Sequence, residues 1–257
     1  MSVSNYLATR ASNAVLSDIE KGSVSTSINT LQTRLDSWFG DKLTTHFKFG
    51  SFTRDTILPR SMDAHSDIDY MVVFKEGGYK PQTYLDRLKK FVEAKYQTSE
   101  LYQSSPTVVL ELNHIKFELV PALAATYGAG YQIPKGVSEW QDTNPNDFNA
   151  TLTSKNKTEN YYLKPAIRLA KFWNSQNGYV YDSYGFEKWI VDQYYWNCGN
   201  VRDYLFSIFE KLALPTDTQW RKDKVQRAKD IVAQVKKYES DSMPSTAEVE
   251  VKKLIPE

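Results

Sequence analysis

The spacing of apolar residues among polar ones predicts two helices at the start of the chain. The first is predicted from residues that recur at helical spacing, namely Tyr6, Leu7, Ala11, Val15 and Ile19. The second is predicted from the same spacing in Ile28, Leu31, Leu35 and Trp38. Gly40 is expected to end the second helix, so the chain opens with helical structure.

Strand patterns follow these helices. Short apolar runs bounded by turn residues predict strands at 43–49, 68–74, 107–112, 115–120 and 131–134. The third and fourth of these form a predicted hairpin across Asn113-His114. Gly77-Gly78 separates the second strand from a helix that Pro81 starts. This part of the chain therefore mixes strands with helices.

Helical spacing replaces the strand pattern after about residue 155. Helices are predicted at 161–173, 184–196, 201–212 and 217–238. From Ser240 the chain is rich in Ser, Pro, Glu and Lys and is predicted to be loosely held. We therefore expect an α+β fold whose parts are a mixed lobe, a helical lobe and a tail, at 1–155, 156–239 and 240–257.

The composition is that of an ordinary globular protein. Of the 257 residues, 41% are hydrophobic and 25% are charged, which is enough for one large domain or two lobes. The net charge of +1 provides no overall attraction to nucleic acid or to an anionic membrane. Any basic binding site would have to be local.

Cysteine content and apolar runs bear on the compartment. Cys198 is the only cysteine, so the chain can form neither an intrachain disulfide nor a cysteine-based zinc site. The N-terminal segment lacks the apolar core of a signal peptide, and no run reaches the roughly 20 apolar residues of a membrane span. We expect a cytoplasmic protein with no membrane association.

Two aspartates at the start of the buried strand pattern are the first candidates for chemistry. Positions i and i+2 of a strand project from one face, so Asp67 and Asp69 point together while Ile68 packs on the other side. Two ionised carboxylates this close repel each other unless a cation lies between them, and such oxygen ligands suit Mg²⁺ or Mn²⁺. The alternative, from this pattern alone, is a pair of solvated acids at a strand edge or a cap for the preceding loop.

A Gly-Ser pair in front of the aspartates favours the metal interpretation. Gly50 would let the backbone approach a ligand closely. Ser51 adds a hydroxyl at the start of a possible short helix over 51–56, whose free N–H groups attract phosphate. Gly-Ser alone is a common turn. Followed by a loop and by Ser-Asp-Ile-Asp, it predicts a phosphate-binding turn beside a metal pair.

A third acid is expected on a neighbouring strand. Glu118 alternates with Phe117 and Leu119 and therefore leaves the face opposite to those apolar side chains. An exposed strand glutamate is the alternative interpretation. Glu111, on the earlier strand of the hairpin, is the competing candidate.

The segments FGSFTRDTILP, SDIDYMVVF and FELVPAL together resemble the nucleotidyltransferases of the polymerase-beta superfamily. Within it, the chain is most similar to the bacterial cyclic-oligonucleotide synthases related to animal cGAS and oligoadenylate synthase, the CD-NTases. In the helical half, YYLKPAIRLAKFWNSQNGYVYDSYGFEKWIV resembles that group's Lys-x-Trp helix, loop and Ser-Tyr-x-x-Glu helix start. The resemblance implies a polymerase-beta-like core, an all-helical C-terminal lobe and an active site in the cleft between them.

The resemblance also implies a metal site. Asp67 and Asp69 would ligate two Mg²⁺ (or Mn²⁺) ions, and Glu118 would complete the ligand set of the ion that activates the attacking hydroxyl. The family usually has aspartate where this chain has Glu118. The longer side chain can still ligate a metal, but reduced or absent activity stays open.

Nucleotide binding is implied for a second group of residues. Gly50 and Ser51 would hold the terminal phosphates of the donor nucleotide. Lys171 and Ser183 would bind the triphosphate from the helical lobe, and Tyr184 would lie near or stack on the base.

The function implied is the condensation of nucleoside triphosphates, ATP first among them, into a cyclic di- or trinucleotide with release of pyrophosphate. A role in bacterial anti-phage signalling and a protein regulator are implied as well. Linear transfer to RNA or protein, or a catalytically silent nucleotide-binding module, are the alternatives.

The zinc insertion of the animal DNA sensor has no counterpart in the sequence. The three histidines, His46, His65 and His114, are scattered and have no cysteine partners. We therefore expect neither a zinc ion nor activation by double-stranded DNA.

Overall fold

The computed structural model describes residues 2–104, 106–125, 130–215 and 218–257, and these residues form two units. The sheet unit contains the described residues of 16–60 and 64–150. The helical unit contains those of 2–15, 61–63 and 151–257. Each unit therefore draws on separate stretches of the sequence.

The helices are numbered in chain order. They are α1 Val3–Asn13, α2 Asp18–Phe39, α3 Gly50–Thr53, α4 Pro81–Lys95, α5 Asp147–Thr158, α6 Leu163–Gln176, α7 Ser183–Val191, α8 Val201–Lys211, α9 Gln219–Ser240 and α10 Pro244–Val251. None of those in the described residues is long and apolar enough to cross a membrane.

A seven-stranded mixed sheet forms the centre of the sheet unit. Its strands are β1 Leu43–Phe49, β2 Asp67–Phe74, β3 Glu100–Ser104, β4 Thr107–Glu111, β5 Lys116–Ala124, β6 Tyr131–Lys135 and β7 Glu139–Thr143. The order is β1-β2-β5-β4-β3, with β6 paired to β5 and to β7. Only the β2–β5 pair is parallel among these described strands. The predicted mixed sheet followed by a helical region is confirmed.

The two faces of β2 are different. Ile68, Tyr70 and Val72 join a large apolar core that also contains side chains of α2 and α4. Met71 and Val73 lie on the other face, in a smaller cluster with Ala122 of β5. Because side chains alternate along a strand, the two aspartates at the start of β2 share the face of this smaller cluster.

The first predicted helix is too long by several residues. Helix α1 ends at Asn13, so Val15 and Ile19 are not on it, and both are exposed. Ser17 starts α2 instead, because its hydroxyl accepts the backbone N–H of Glu20 while the Glu20 carboxylate accepts the N–H of Ser17. This reciprocal pair of bonds is a capping box, and Ser-Asp-Ile-Glu is its sequence signature.

Helix α1 belongs to the helical unit, whereas the predicted division at residue 155 grouped it with the strands. Tyr6, Leu7 and Ala11 form its buried stripe, which packs against α6, α8 and α10. The boundary between the units falls inside α5, after residue 150. Apolar spacing predicts that a helix buries one face, but it does not identify the partner of that face.

The predicted loose tail from Ser240 is wrong. Residues 244–251 form α10, and Ala247, Val251, Leu254 and Ile255 are buried. The hydroxyl of Tyr6 donates a hydrogen bond to the carbonyl oxygen of Ile255 at 2.7 Å. Ala247 and Val251 are one turn apart on one side of α10, and Leu254 and Ile255 follow the helix, so the polar composition of the segment concealed these apolar positions.

Other differences concern ends and short elements. Helix α7 ends at Val191 rather than at residue 196, and Trp196 is 82% exposed. Strands β3 and β7 and helix α5 were not predicted. Apolar residues recur only weakly at strand spacing in the two strands and at helical spacing in the helix. The predicted start of the last long helix, Asp217, lies outside the described residues.

The packing of the C-terminal segment predicts that Ile255→Ala destabilises the protein. Removing a fully buried isoleucine side chain costs about 2–5 kcal/mol of unfolding free energy. Val249→Ala in α10 is the matched control, because Val249 is 62% exposed. Urea unfolding would measure both variants. Equal stability of the two would contradict the packing described for this segment.

Candidate active site

The two aspartates of β2 lie at the edge of an apolar strand. Ile68 and Tyr70, between and after them, are fully buried in the large core, whereas Asp67 and Asp69 are half-buried on the other face. The alternation predicted from the sequence is therefore present, and the two carboxylates share a face.

The parallel pairing of β2 with β5 brings the third predicted acid to these aspartates. Asp69 is paired with Glu118, and Asp67 is paired with Lys116. Directly paired residues of adjacent strands project from the same face. Asp67, Asp69 and Glu118 therefore form one acidic face across two strands, which we call the acidic face below.

Lys116 contacts this acidic face, and it was not among the predicted site residues. Its Nζ lies 3.2 Å from Oδ2 of Asp67 and 3.2 Å from Oε1 of Glu118. Burial by itself would lower the pKa of Lys116, but the two carboxylates outweigh it and hold that pKa above its ordinary value. Its position two residues before Glu118, on the same strand face, is a signal that the sequence contained.

The competing acid, Glu111, has a different partner. It lies on β4 opposite Lys116, and its Oε1 accepts a hydrogen bond from Nη2 of Arg60 at 2.8 Å. The same Nη2 donates to the carbonyl oxygen of Ala64 at 3.2 Å. Glu111 thus ties the loop before β2 to the sheet.

The acidic face fits a divalent cation by its donors. Three carboxylates are the oxygen ligands that Mg²⁺ and Mn²⁺ prefer, and a cationic group already contacts two of them. Within the described ranges, no three acidic, histidine or cysteine side chains are grouped closely enough to hold a metal as they stand. Mg²⁺ binds oxygen ligands at about 2.1 Å, so these carboxylates would have to draw closer together to share a metal ion.

Gly50 lies directly against the acidic face. Its φ is +72°, and a Cβ added to it would lie 1.7 Å from Oδ2 of Asp69. Both facts require glycine at this position. The backbone of Gly50 therefore lies against the Asp69 carboxylate. The close approach to a ligand that the Gly-Ser pair predicts stays a prediction.

Ser51 follows in the short helix α3, which ends at Thr53 rather than at residue 56. The carbonyl oxygen of Ser51 accepts the backbone N–H of Thr56 at 3.0 Å and that of Ile57 at 3.2 Å. These bonds fold the chain tightly after the Gly-Ser pair and fix the backbone from which the Ser51 hydroxyl projects.

Three predicted nucleotide-binding residues belong to the helical unit. Lys171 lies in α6 and is only 8% exposed. Arg168, one turn earlier in the same helix, is 9% exposed. Residues i and i+3 of a helix share a face, so α6 presents two buried cations together. Arg168 was not predicted, although its spacing from Lys171 is readable in the sequence.

Ser183 is the first residue of α7 and does not cap the helix. Asp182 caps the helix, since its carboxylate accepts the backbone N–H of Gly185 at 2.7 Å. Tyr184 is 53% exposed, so its ring is accessible to a planar ligand. Glu187, one turn further, is buried.

A family comparison matches the N-terminal part of the chain. Residues 1–156 match the model of the Second Messenger Oligonucleotide or Dinucleotide Synthetase domain, SMODS. This region contains Gly50, Ser51 and the whole acidic face.

Two curated relatives are similar in sequence. A probable cyclic nucleotide synthase of Bacillus cereus is 28% identical over 206 residues, which are 64% of this chain and 60% of that protein. A cyclic AMP-AMP-AMP synthase of Acinetobacter is 28% identical over 176 residues, covering 63% of this chain and 51% of that protein. The chain thus spans between half and two thirds of the length of these relatives.

Solved structures share the fold over nearly the whole chain. The CdnC protein of E. coli MS115-1 with ATP has a TM-score of 0.73 at 15% identity, covering 99% of this chain and 98% of that one. CdnC has also been solved with a HORMA protein. The DncV cyclic AMP-GMP synthase of Vibrio cholerae, with a linear intermediate, has a TM-score of 0.75 at 11% identity, covering 99% and 95%. The chain therefore belongs to the SMODS family of nucleotidyltransferases and has the CD-NTase fold.

Proposed function

We propose that this protein joins nucleoside triphosphates into a cyclic di- or trinucleotide and releases pyrophosphate. The observation that supports this most directly is the acidic face, in which Asp67, Asp69 and Glu118 are held in register by β2 and β5. The similarity to a probable cyclic nucleotide synthase and to a cyclic AMP-AMP-AMP synthase supports a cyclic product.

The acidic face would hold the metal ions of the reaction. Two Mg²⁺ or Mn²⁺ ions bound there would supply positive charge to the attacking hydroxyl and to the oxygens around the α-phosphate. Asp67 and Asp69 would serve both ions, and Glu118 would complete the ligands on the side of the attacking hydroxyl. The buried side chains of Ile68 and Tyr70 anchor the strand, so the carboxylates are positioned by the core.

The phosphates would be held by short-range donors. Gly50 offers no side chain that would obstruct an approaching phosphate, and the Ser51 hydroxyl would donate to the terminal phosphates. In the helical unit, Lys171 would neutralise triphosphate charge and Ser183 would donate a hydrogen bond to it. The accessible ring of Tyr184 would stack on the base.

The biological setting that we propose is supported by the same family membership. A cyclic nucleotide made by a SMODS protein would act as a second messenger, and anti-phage signalling is the setting we propose. ATP is the substrate we expect first, because CdnC has been solved with ATP. CdnC with its HORMA protein supports a protein regulator for this chain as well.

A catalytically silent nucleotide-binding module is the second candidate. Two observations favour it: glutamate stands at the third acidic position, and the Lys116 ammonium contacts Asp67 and Glu118. Such a protein would bind nucleotides without turnover.

Incubation with labelled ATP, GTP, CTP and UTP in Mg²⁺ or Mn²⁺ tests these proposals. We expect a small phosphatase-resistant product from the native protein and none from Asp67→Asn/Asp69→Asn, which removes the charge of both carboxylates. Glu93→Gln, an exposed acid of α4, is the control variant. A ladder or a labelled protein would indicate linear transfer instead, and the absence of any product would indicate the silent module.

The contact between Gly50 and Asp69 predicts that Gly50→Ala is inactive and less stable. The new methyl group would meet the Asp69 carboxylate and strain the left-handed backbone. A displacement of about 1 Å in a catalytic group can cost roughly 10²-fold in rate. Gly22→Ala in α2 is the matched control, since nothing lies within 4 Å of its Cβ position. Product yield and melting temperature measure both, and a fully active Gly50→Ala protein would refute the assignment.

The position of Glu118 predicts a graded loss of turnover. Glu118→Gln keeps the size but loses the charge, so we expect almost no product. Glu118→Asp pulls the carboxylate back by about one C–C bond, and we expect turnover to fall by roughly 10²-fold. Glu111→Gln tests the competing acid. Higher turnover in Glu118→Asp than in the native protein would favour the silent module, and loss in Glu111→Gln alone would move the role to Glu111.

A further inference from the structure

Lys116 contacts the acidic face in a way that bears on metal binding itself. We propose that the Lys116 ammonium is an internal counter-ion that occupies the acidic face until divalent metal displaces it. Metal occupancy is then set by competition between the ammonium and the metal. This inference rests on the proposed function, because it assumes that the acidic face binds metal.

The distances place the ammonium between two of the proposed ligands. Its Nζ is equally far, 3.2 Å, from Oδ2 of Asp67 and from Oε1 of Glu118. A metal ion that binds both oxygens needs the space between them, which the ammonium fills. The two cations cannot share these oxygens, since like charges at such short range repel each other strongly.

The position of Lys116 is fixed by the sheet. Its Cα is paired with that of Asp67 on β2 and with that of Glu111 on β4, so it lies on an interior strand with neighbours on both sides. Its side chain is only 12% exposed. A charge so placed is poorly screened by solvent, unlike most surface lysines.

The charges explain why such a counter-ion would be useful. Asp67, Asp69 and Glu118 together carry three negative charges within two adjacent strands. Without a cation these carboxylates repel one another and destabilise the strand pairing that positions them. Lys116 provides compensation that does not depend on the metal supply.

A second carboxylate, that of Glu111, lies near Lys116 and can receive the displaced ammonium. Glu111 lies opposite Lys116 on β4, and directly opposite residues have Cβ atoms about 5 Å apart. Glu111 already accepts a hydrogen bond from Arg60 but retains a second carboxylate oxygen. The ammonium can therefore turn from the acidic face toward Glu111 without losing all negative neighbours.

A purely structural ion pair makes the opposite prediction. If Lys116 only tied the strands together, its removal would weaken the fold and loosen the carboxylates, and metal affinity would fall or stay unchanged. If it competes with metal, removal lowers the stability of the metal-free protein but raises metal affinity. The sign of the change in affinity separates the two roles.

The test uses the full chain with Lys116→Met, which keeps the apolar stem, and Lys116→Arg, which keeps the charge. Lys135→Met is the control, because it removes an exposed ion pair with Glu139. Mn²⁺ affinity is measured by electron paramagnetic resonance without nucleotide, and melting temperature is measured in EDTA and in saturating Mn²⁺.

We expect Lys116→Met to bind Mn²⁺ about tenfold more tightly than the native protein. The reason is that the charge-assisted contacts of the ammonium with Asp67 and Glu118, which stabilise the metal-free protein, are lost in this variant. Its melting temperature should fall in EDTA and recover in Mn²⁺. Lys116→Arg should differ from the native protein less than Lys116→Met does in both measurements. Lys135→Met should match the native protein.

Unchanged or weaker Mn²⁺ binding by Lys116→Met would overturn the counter-ion inference while leaving the metal site intact. The metal site itself is tested by Asp67→Asn/Asp69→Asn. If this double variant binds Mn²⁺ as well as the native protein does, both the metal site and the inference are overturned.

Discussion

The parallel pairing of β2 with β5 is the constraint on which the candidate site depends. It brings Asp69 beside Glu118 and Asp67 beside Lys116, although these residues are far apart in sequence. A shift of the register by one residue would turn the β5 side chains to the opposite face. The apolar residues that alternate with the charged ones prevent such a shift, because Phe117 would then leave the core. The core therefore fixes the chemistry.

Local patterns were sufficient for the strands that build the site. Strand β1 was predicted with its observed bounds, and β2 begins only one residue earlier than predicted. Alternation also assigned the correct faces to Asp67, Asp69 and Glu118, because a strand with one buried face imposes a strict period of two. The helical spacing of Leu31 and Leu35 gave α2 for the same kind of reason.

What the sequence did not reveal depends on tertiary contacts or on weak signals. The ion pair of Lys116 with Asp67 requires the knowledge that β2 lies beside β5, which no local pattern contains. The C-terminal helix was hidden because few apolar residues lie in a polar segment, and its stability comes from packing against the rest of the helical unit. The predicted end of α1 was wrong for a different reason. The Ser17–Glu20 capping box, which marks the start of α2, was present in the sequence and was not used.

The discontinuous helical unit has a consequence for folding. Helix α1 packs against α6 and α8, and the residues of the sheet unit lie between α1 and these two helices in the sequence. During synthesis the chain emerges from its N-terminus, so Leu7 and its neighbours leave the ribosome long before their partners exist. Contacts between residues so distant in sequence close large loops and form slowly. The apolar stripe of α1 therefore lacks these packing partners until the chain beyond about residue 200 has been made.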